Sequence, residues 1–154
     1  MKKIFIIILL SFTTFSLYSQ NKTIKGRVIS DFFETIPGVL IMINDTVEVG
    51  KTDLNGFFQI NVPISMKKLL FKFLAFDPTV IELVGKCDAV EVVMMSSGTD
   101  DFITLKKADR LRMKRFKKLP ELHKEAFEKG IFKTDKACYI QEFIPYYKKK
   151  LKLN

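Results

Sequence analysis

The chain has 154 residues, with 26 Lys and Arg against 17 Asp and Glu, one His and two Cys. A hydrolytic zinc site needs about three protein ligands, commonly two His and a Glu, so this inventory excludes one and leaves little for acid–base catalysis. The net charge of +9 is unevenly placed: residues 21–100 hold 8 basic and 10 acidic side chains, residues 101–154 hold 16 basic and 7 acidic.

Lys2 and Lys3 precede an unbroken apolar run, Ile4 to Leu10, and a stretch rich in Ser and Thr follows. That is the order of a secretory signal peptide. The run from Ile4 to Leu17 is broken by Ser11, Thr13, Thr14 and Ser16. It falls short of the roughly 20 apolar residues a membrane-spanning helix needs. We expect an exported chain cleaved after Ser19 to begin at Gln20, with cleavage after Ser16 and a retained anchor as the alternatives. No cysteine stands at the boundary to carry a lipid. No transmembrane span is expected once the signal is removed. The destination is the periplasm or the extracellular side.

After the signal, short β-like runs alternate with turn residues. The runs are Lys22–Ser30, Val39–Ile43, Val49–Lys51, Phe57–Val62, Lys68–Phe73, Thr79–Leu83 and Ala89–Met94. Pro37-Gly38, Asn44-Asp45 and the stretch KTDLNGFF at 51–58 separate the early ones. Such spacing predicts an antiparallel sandwich or barrel. The apolar run VLIMI does not alternate and is expected to be a central strand buried on both sides. Thr79–Leu83 and Ala89–Val93 carry polar residues among the apolar ones, so each is expected to have a half-exposed face. No helix of useful length fits before Ser97. KTDLNGFF has the Asp-x-Asn-Gly of a calcium loop, but no Glu follows Gly56 before Glu82, and its flanks are strands. The missing oxygen ligands make it a turn.

Near Ser96-Ser97-Gly98 the composition changes, and the chain divides there into a signal at 1–19, a β domain at 20–97 and a C-terminal extension at 98–154. Thr99-Asp100-Asp101 is expected to cap a helix that runs to Pro120, and ELHKEAFEK forms a second one ending at Gly130. Phe102, Leu105, Ala108, Phe116 and Leu119 form a partial apolar stripe. Around it stand Lys106, Lys107, Arg110, Arg112, Lys114, Arg115, Lys117 and Lys118, the candidate surface for an anionic partner. On this reading the extension is a separate segment, and reversing Arg110, Arg112, Lys114 and Arg115 leaves the β domain folded. Phe116, Phe127, Phe132, Tyr139, Phe143, Tyr146 and Tyr147 interleave with the lysines as in single-strand nucleic-acid binders. Export argues against nucleic acid, and the competing reading has these aromatics packing the helices onto the sandwich with the lysines as a solvated face. His123 is expected to be a solvated helix residue. Cys87 and Cys138 fall on opposite sides of the composition break and form either a disulfide or two separate thiols.

Four blocks carry a resemblance: Gly26-Arg27-Val28, Pro37-Gly38-Val39, Gly50-x-Thr52-Asp53-x-Asn55-Gly56-x-Phe58 and Phe71-x-Phe73-x-x-Phe76. In order and spacing they resemble the carboxypeptidase regulatory-like domain, over roughly Thr23 to Met94. The resemblance implies a mainly β fold, a seven-stranded, transthyretin-like Greek-key sandwich of bacterial envelope proteins. Such a domain is not itself catalytic, and it often precedes an outer-membrane transporter or accompanies a zinc peptidase. Ala75 departs from the pattern, standing where glycine is usual, and Asp31-Phe32-Phe33-Glu34 lacks the usual Gly of the first turn. The chain is therefore expected to be a free-standing copy of the module with a basic, mostly helical extension, without metal, cofactor or catalytic residues. Its expected partner is an envelope protein or an anionic envelope surface. The alternatives are a small envelope enzyme using tail residues such as His123 and Cys138, and a module that binds polyanions or a membrane surface.

Overall fold

The computed structural model describes residues 21–98 and 102–147. The expected signal, the Thr99-Asp100-Asp101 cap and the terminal lysines from Lys148 lie outside them. The fold is mainly β, with 40% strand and 18% helix. Its elements are β1 (Asn21–Ser30), β2 (Leu40–Ile43), β3 (Val47–Lys51), β4 (Phe57–Pro63), β5 (Lys68–Lys72), β6 (Thr79–Leu83), β7 (Ala89–Met94), α1 (Leu105–Phe116), α2 (Leu119–Glu128) and β8 (Tyr139–Glu142). All seven expected runs are strands. The eighth, β8, was not expected: YIQE shows no clear alternation, and it becomes a strand by pairing along β6.

Two sheets face each other, one in the order β4-β1-β7 and one in the order β3-β2-β5-β6-β8. β1 runs antiparallel to β4 and parallel to β7. Every pairing in the larger sheet is antiparallel. Leu40 pairs with both Lys51 and Lys72, and Ser30 pairs with Met94. The connections after β1, β3 and β5 therefore gather at one end, where a Phe76–Ser96 bridge also brings the exit of β7.

Period-two patterning builds the core. Along β4, Phe58, Ile60 and Val62 point inward while Phe57, Gln59 and Asn61 are exposed. They meet Ile24 and Val28 of β1, Phe71 of β5 and Ile81 of β6, with the Phe58 and Phe71 rings edge to face at 5.7 Å. Gly26 sits where this core closes, and a side chain there would collide with the Val90 carbonyl oxygen and the Phe58 ring. The β2–β3 hairpin turns on Asn44 and Asp45, both with positive φ (51° and 60°), residues that tolerate such backbone.

KTDLNGFF is a corner that carries the chain from one sheet to the other. Asp53 Oδ1 accepts the amides of Asn55 (2.9 Å) and Phe57 (2.8 Å), and Gly56 takes φ 76°. The carboxylate oxygen expected of a calcium loop is engaged by the turn's own backbone.

Two burial expectations are inverted. In β2 only Ile41 is fully buried, whereas β7 is buried along nearly its whole length. Val90, Val92 and Met94 face the main core, while Val93 and the following Met95 join Ile29 in a second cluster with Leu119, Ala126 and Phe132. The helical segment covers the outer face of the smaller sheet. Glu91, which suggested a solvent face, is buried there instead, and its carboxylate accepts the amides of Lys133 (2.7 Å) and Thr134 (3.1 Å).

Candidate functional site

α1 starts at Thr104, whose hydroxyl caps the Lys107 amide, so the cap lies nearer the helix than the acidic triplet expected for it. The chain breaks at Lys117 and Lys118, and Pro120 stands in the first turn of α2, where its missing N–H is harmless. Ala108 and Arg112 are the buried residues of α1. Their spacing of four puts both on the face turned to the protein.

Arg112 corrects the basic-surface expectation. Only 2% exposed, its Nε donates to Asp77 Oδ2 at 2.9 Å, and Nη1 donates to Asp109 Oδ1 and to the Ile144 carbonyl, each at 3.0 Å. The Tyr146 ring lies over its guanidinium at 3.6 Å, and the Tyr146 hydroxyl donates to Asp77 Oδ1 at 2.6 Å. Asp109 also accepts the amides of Tyr146 and Tyr147. Burial alone would raise the Asp109 carboxyl; those amides and the guanidinium outweigh it and hold the group below the usual range. Burial and the bond to Asp77 push the Tyr146 phenol up. This clasp pins residues 144–147 and α1 to the β5–β6 connection.

Arg115 is half-buried and donates to the Ser96 carbonyl at 2.8 Å, so it too is a tether. The other six candidates, Lys106, Lys107, Arg110, Lys114, Lys117 and Lys118, are exposed and make no ion pair among the described residues. They are the part of the predicted surface that stands in solvent.

The aromatics of the segment divide the same way. Phe132 is buried, Phe116 packs edge to face on Phe143 at 5.4 Å, and Tyr139 donates its hydroxyl to the Glu91 carbonyl at 2.7 Å. Burial and the nearby Glu91 charge push the Tyr139 phenol up. Phe127 and Tyr147 remain partly in solvent, 42% and 49% exposed.

No protein-family model and no curated protein matches this chain.

Cys87 and Cys138 are joined in a disulfide, with their Cα atoms 5.5 Å apart, clamping the β6–β7 connection to the start of β8. A disulfide sulfur is no thiolate nucleophile. His123, expected in solvent, is 4% exposed on the inner face of α2 and packs against Phe132 at 4.9 Å. Its two ring nitrogens have no hydrogen-bond partner among the described residues. Burial lowers its pKa, with Glu91 opposing in part. Beside it a cleft of about 540 Å³ is lined chiefly by apolar groups, among them Val93, Met113, Phe116 and Pro120. Among the described residues no group of three or more His, Cys, Asp or Glu is placed to hold a metal ion. No helix among them is long and apolar enough to cross a membrane.

Proposed function

We propose that the chain is an exported, non-catalytic interaction module of the cell envelope. Its β part is a carboxypeptidase regulatory-like domain with the Greek-key, transthyretin-like topology, and the exposed cations of its C-terminal segment dock on an acidic partner or anionic surface. The observation that carries the reading is the set of six exposed cations on and just after α1 with no ion-pair partner among the described residues, while Arg112 and Arg115 are held inside. A structural surface usually intersperses the two signs; unbalanced charge on one helix attracts anions and steers their approach. Support for the family comes from its glycines. Gly26 and Gly56 stand where a side chain would strike the Val90 and Val28 carbonyl oxygens.

The enzymatic alternative asks for Cys138 as a thiolate and His123 as a base. The disulfide and the burial of the imidazole support the non-catalytic reading.

The test is capture of envelope components by the full mature chain at rising salt, beside a variant carrying Lys106→Glu, Lys107→Glu, Arg110→Glu and Lys114→Glu. Binding should weaken steeply as the Debye length falls from about 10 Å at 0.1 M to about 3 Å at 1 M, and vanish in the variant. Binding that survives both treatments overturns the proposal.

A further inference from the structure

Three connections gather at one end of the sandwich, and each raises a large apolar side chain into solvent. Phe32 after β1 is 71% exposed, Leu54 between β3 and β4 is 85% exposed, and Leu74 between β5 and β6 is 88% exposed. At the opposite end Val47, Ile64 and Val84 reach only 50–53%.

The backbone beneath these tips is fastened down. Ser30 Oγ accepts the amides of Phe32 and Glu34, Asp53 Oδ1 accepts those of Asn55 and Phe57, and the Ala75 carbonyl accepts the Ser97 amide. Little ordering entropy remains to be lost on docking. The tips stand on three separate loops, each presenting one large apolar side chain. A fluid acyl layer accepts separate apolar tips without a preformed pocket for each. α1, which carries the exposed lysines, is fastened to this same end by Arg112 on Asp77 and by Arg115 on the Ser96 carbonyl. Apolar tips beside a bank of cations match an anionic lipid interface.

We propose that this end of the protein docks on an anionic lipid surface, with Phe32, Leu54 and Leu74 entering the headgroup–acyl boundary and the α1 cations facing lipid phosphates. It rests on the anion-docking function above and names the surface.

The experiment uses the mature chain with phosphatidylcholine vesicles, with and without phosphatidylglycerol. Wild type should sediment with the anionic vesicles and not the neutral ones. Phe32→Ser/Leu54→Ser/Leu74→Ser should lose at least about tenfold in partitioning, since each tip gives up most of an apolar side chain's burial. The chain has no Trp, so Phe32→Trp supplies a single reporter whose emission should shift to the blue on anionic vesicles. Equal partitioning of the triple variant, or an unshifted emission, overturns tip docking while leaving the anion-docking function intact. Wild type that ignores anionic vesicles yet captures an envelope protein in a salt-sensitive way overturns the lipid as partner. Loss of every charge-dependent interaction overturns both.

Discussion

Arg112 is the side chain whose role differs most from its appearance in the sequence. Eight basic residues crowd one helix and its end, and composition treats them alike. Their spacing does not: Ala108, Arg112 and Phe116 recur every four residues, so Arg112 lies in the apolar stripe while its neighbours lie outside it. Removing one partner of a buried ion pair leaves the other charge unpaired, at a cost of about 3–5 kcal/mol. Arg112→Ala should therefore lower the free energy of urea unfolding by about that much, while Lys114→Ala should change it by less than about 0.5 kcal/mol. The expectation that a reversal including Arg112 leaves the sandwich folded does not survive its burial against Asp77. Asp53 is a milder case. Asp53→Ala removes an acceptor from two exposed amides and should cost about 1 kcal/mol, with the melting temperature indifferent to added calcium. Ala75, standing where the resembled family usually has glycine, and Phe33, in the first turn that lacks one, both adopt left-handed backbone, at φ 64° and 66°. Neither position carries the residue that favours such backbone. Ala75→Gly should relieve that strain and raise stability by up to about 1 kcal/mol by urea titration.

At the scale of elements, strands were legible wherever period-two patterning and turn residues coincided. β4 alternates cleanly, and Asn44-Asp45 marks the β2–β3 hairpin turn. What the local pattern could not show was what covers a sheet from outside. β7 reads as half-exposed because Glu91 interrupts its apolar run, yet that carboxylate is the acceptor that fixes the chain after α2. β8 has no pattern of its own and exists through its partner β6. The inner face of α2 also carries a pH dependence. Burial lowers the His123 pKa in the folded state below the ordinary imidazole value of about 6.5. The unfolded chain then takes up a proton below about pH 6.5 that the folded chain resists, so stability falls with pH from there until the folded pKa is passed. Thermal melts of wild type should drop between about pH 7 and pH 5, and His123→Phe should flatten that slope; an equal slope in both proteins would assign it to other groups.

Across the whole molecule, the composition break at Ser96–Gly98 separates charge but not packing. The second hydrophobic cluster draws Ile29, Val93 and Met95 from one side of that break and Leu119, Ala126 and Phe132 from the other. The disulfide spans it as well, its cysteines 51 positions apart. On the chain-entropy account, closing a loop of that size stabilises the fold by up to about 4 kcal/mol. Reduction, or Cys87→Ser with Cys138→Ser, should lower the urea midpoint accordingly, with equal midpoints showing that the bond leaves stability unchanged.

The bond from Arg27 to the Ile131 carbonyl joins positions 104 apart, nearly the length of the described chain. A polypeptide is made from its amino end, so Arg27 is made 104 residues before its acceptor. Throughout that interval β7 has no cover on its outer face and β6 has no neighbour along its far edge. Contacts of such long range make folding slow. The smaller sheet thus receives its outer cover only after all of its own strands have been made.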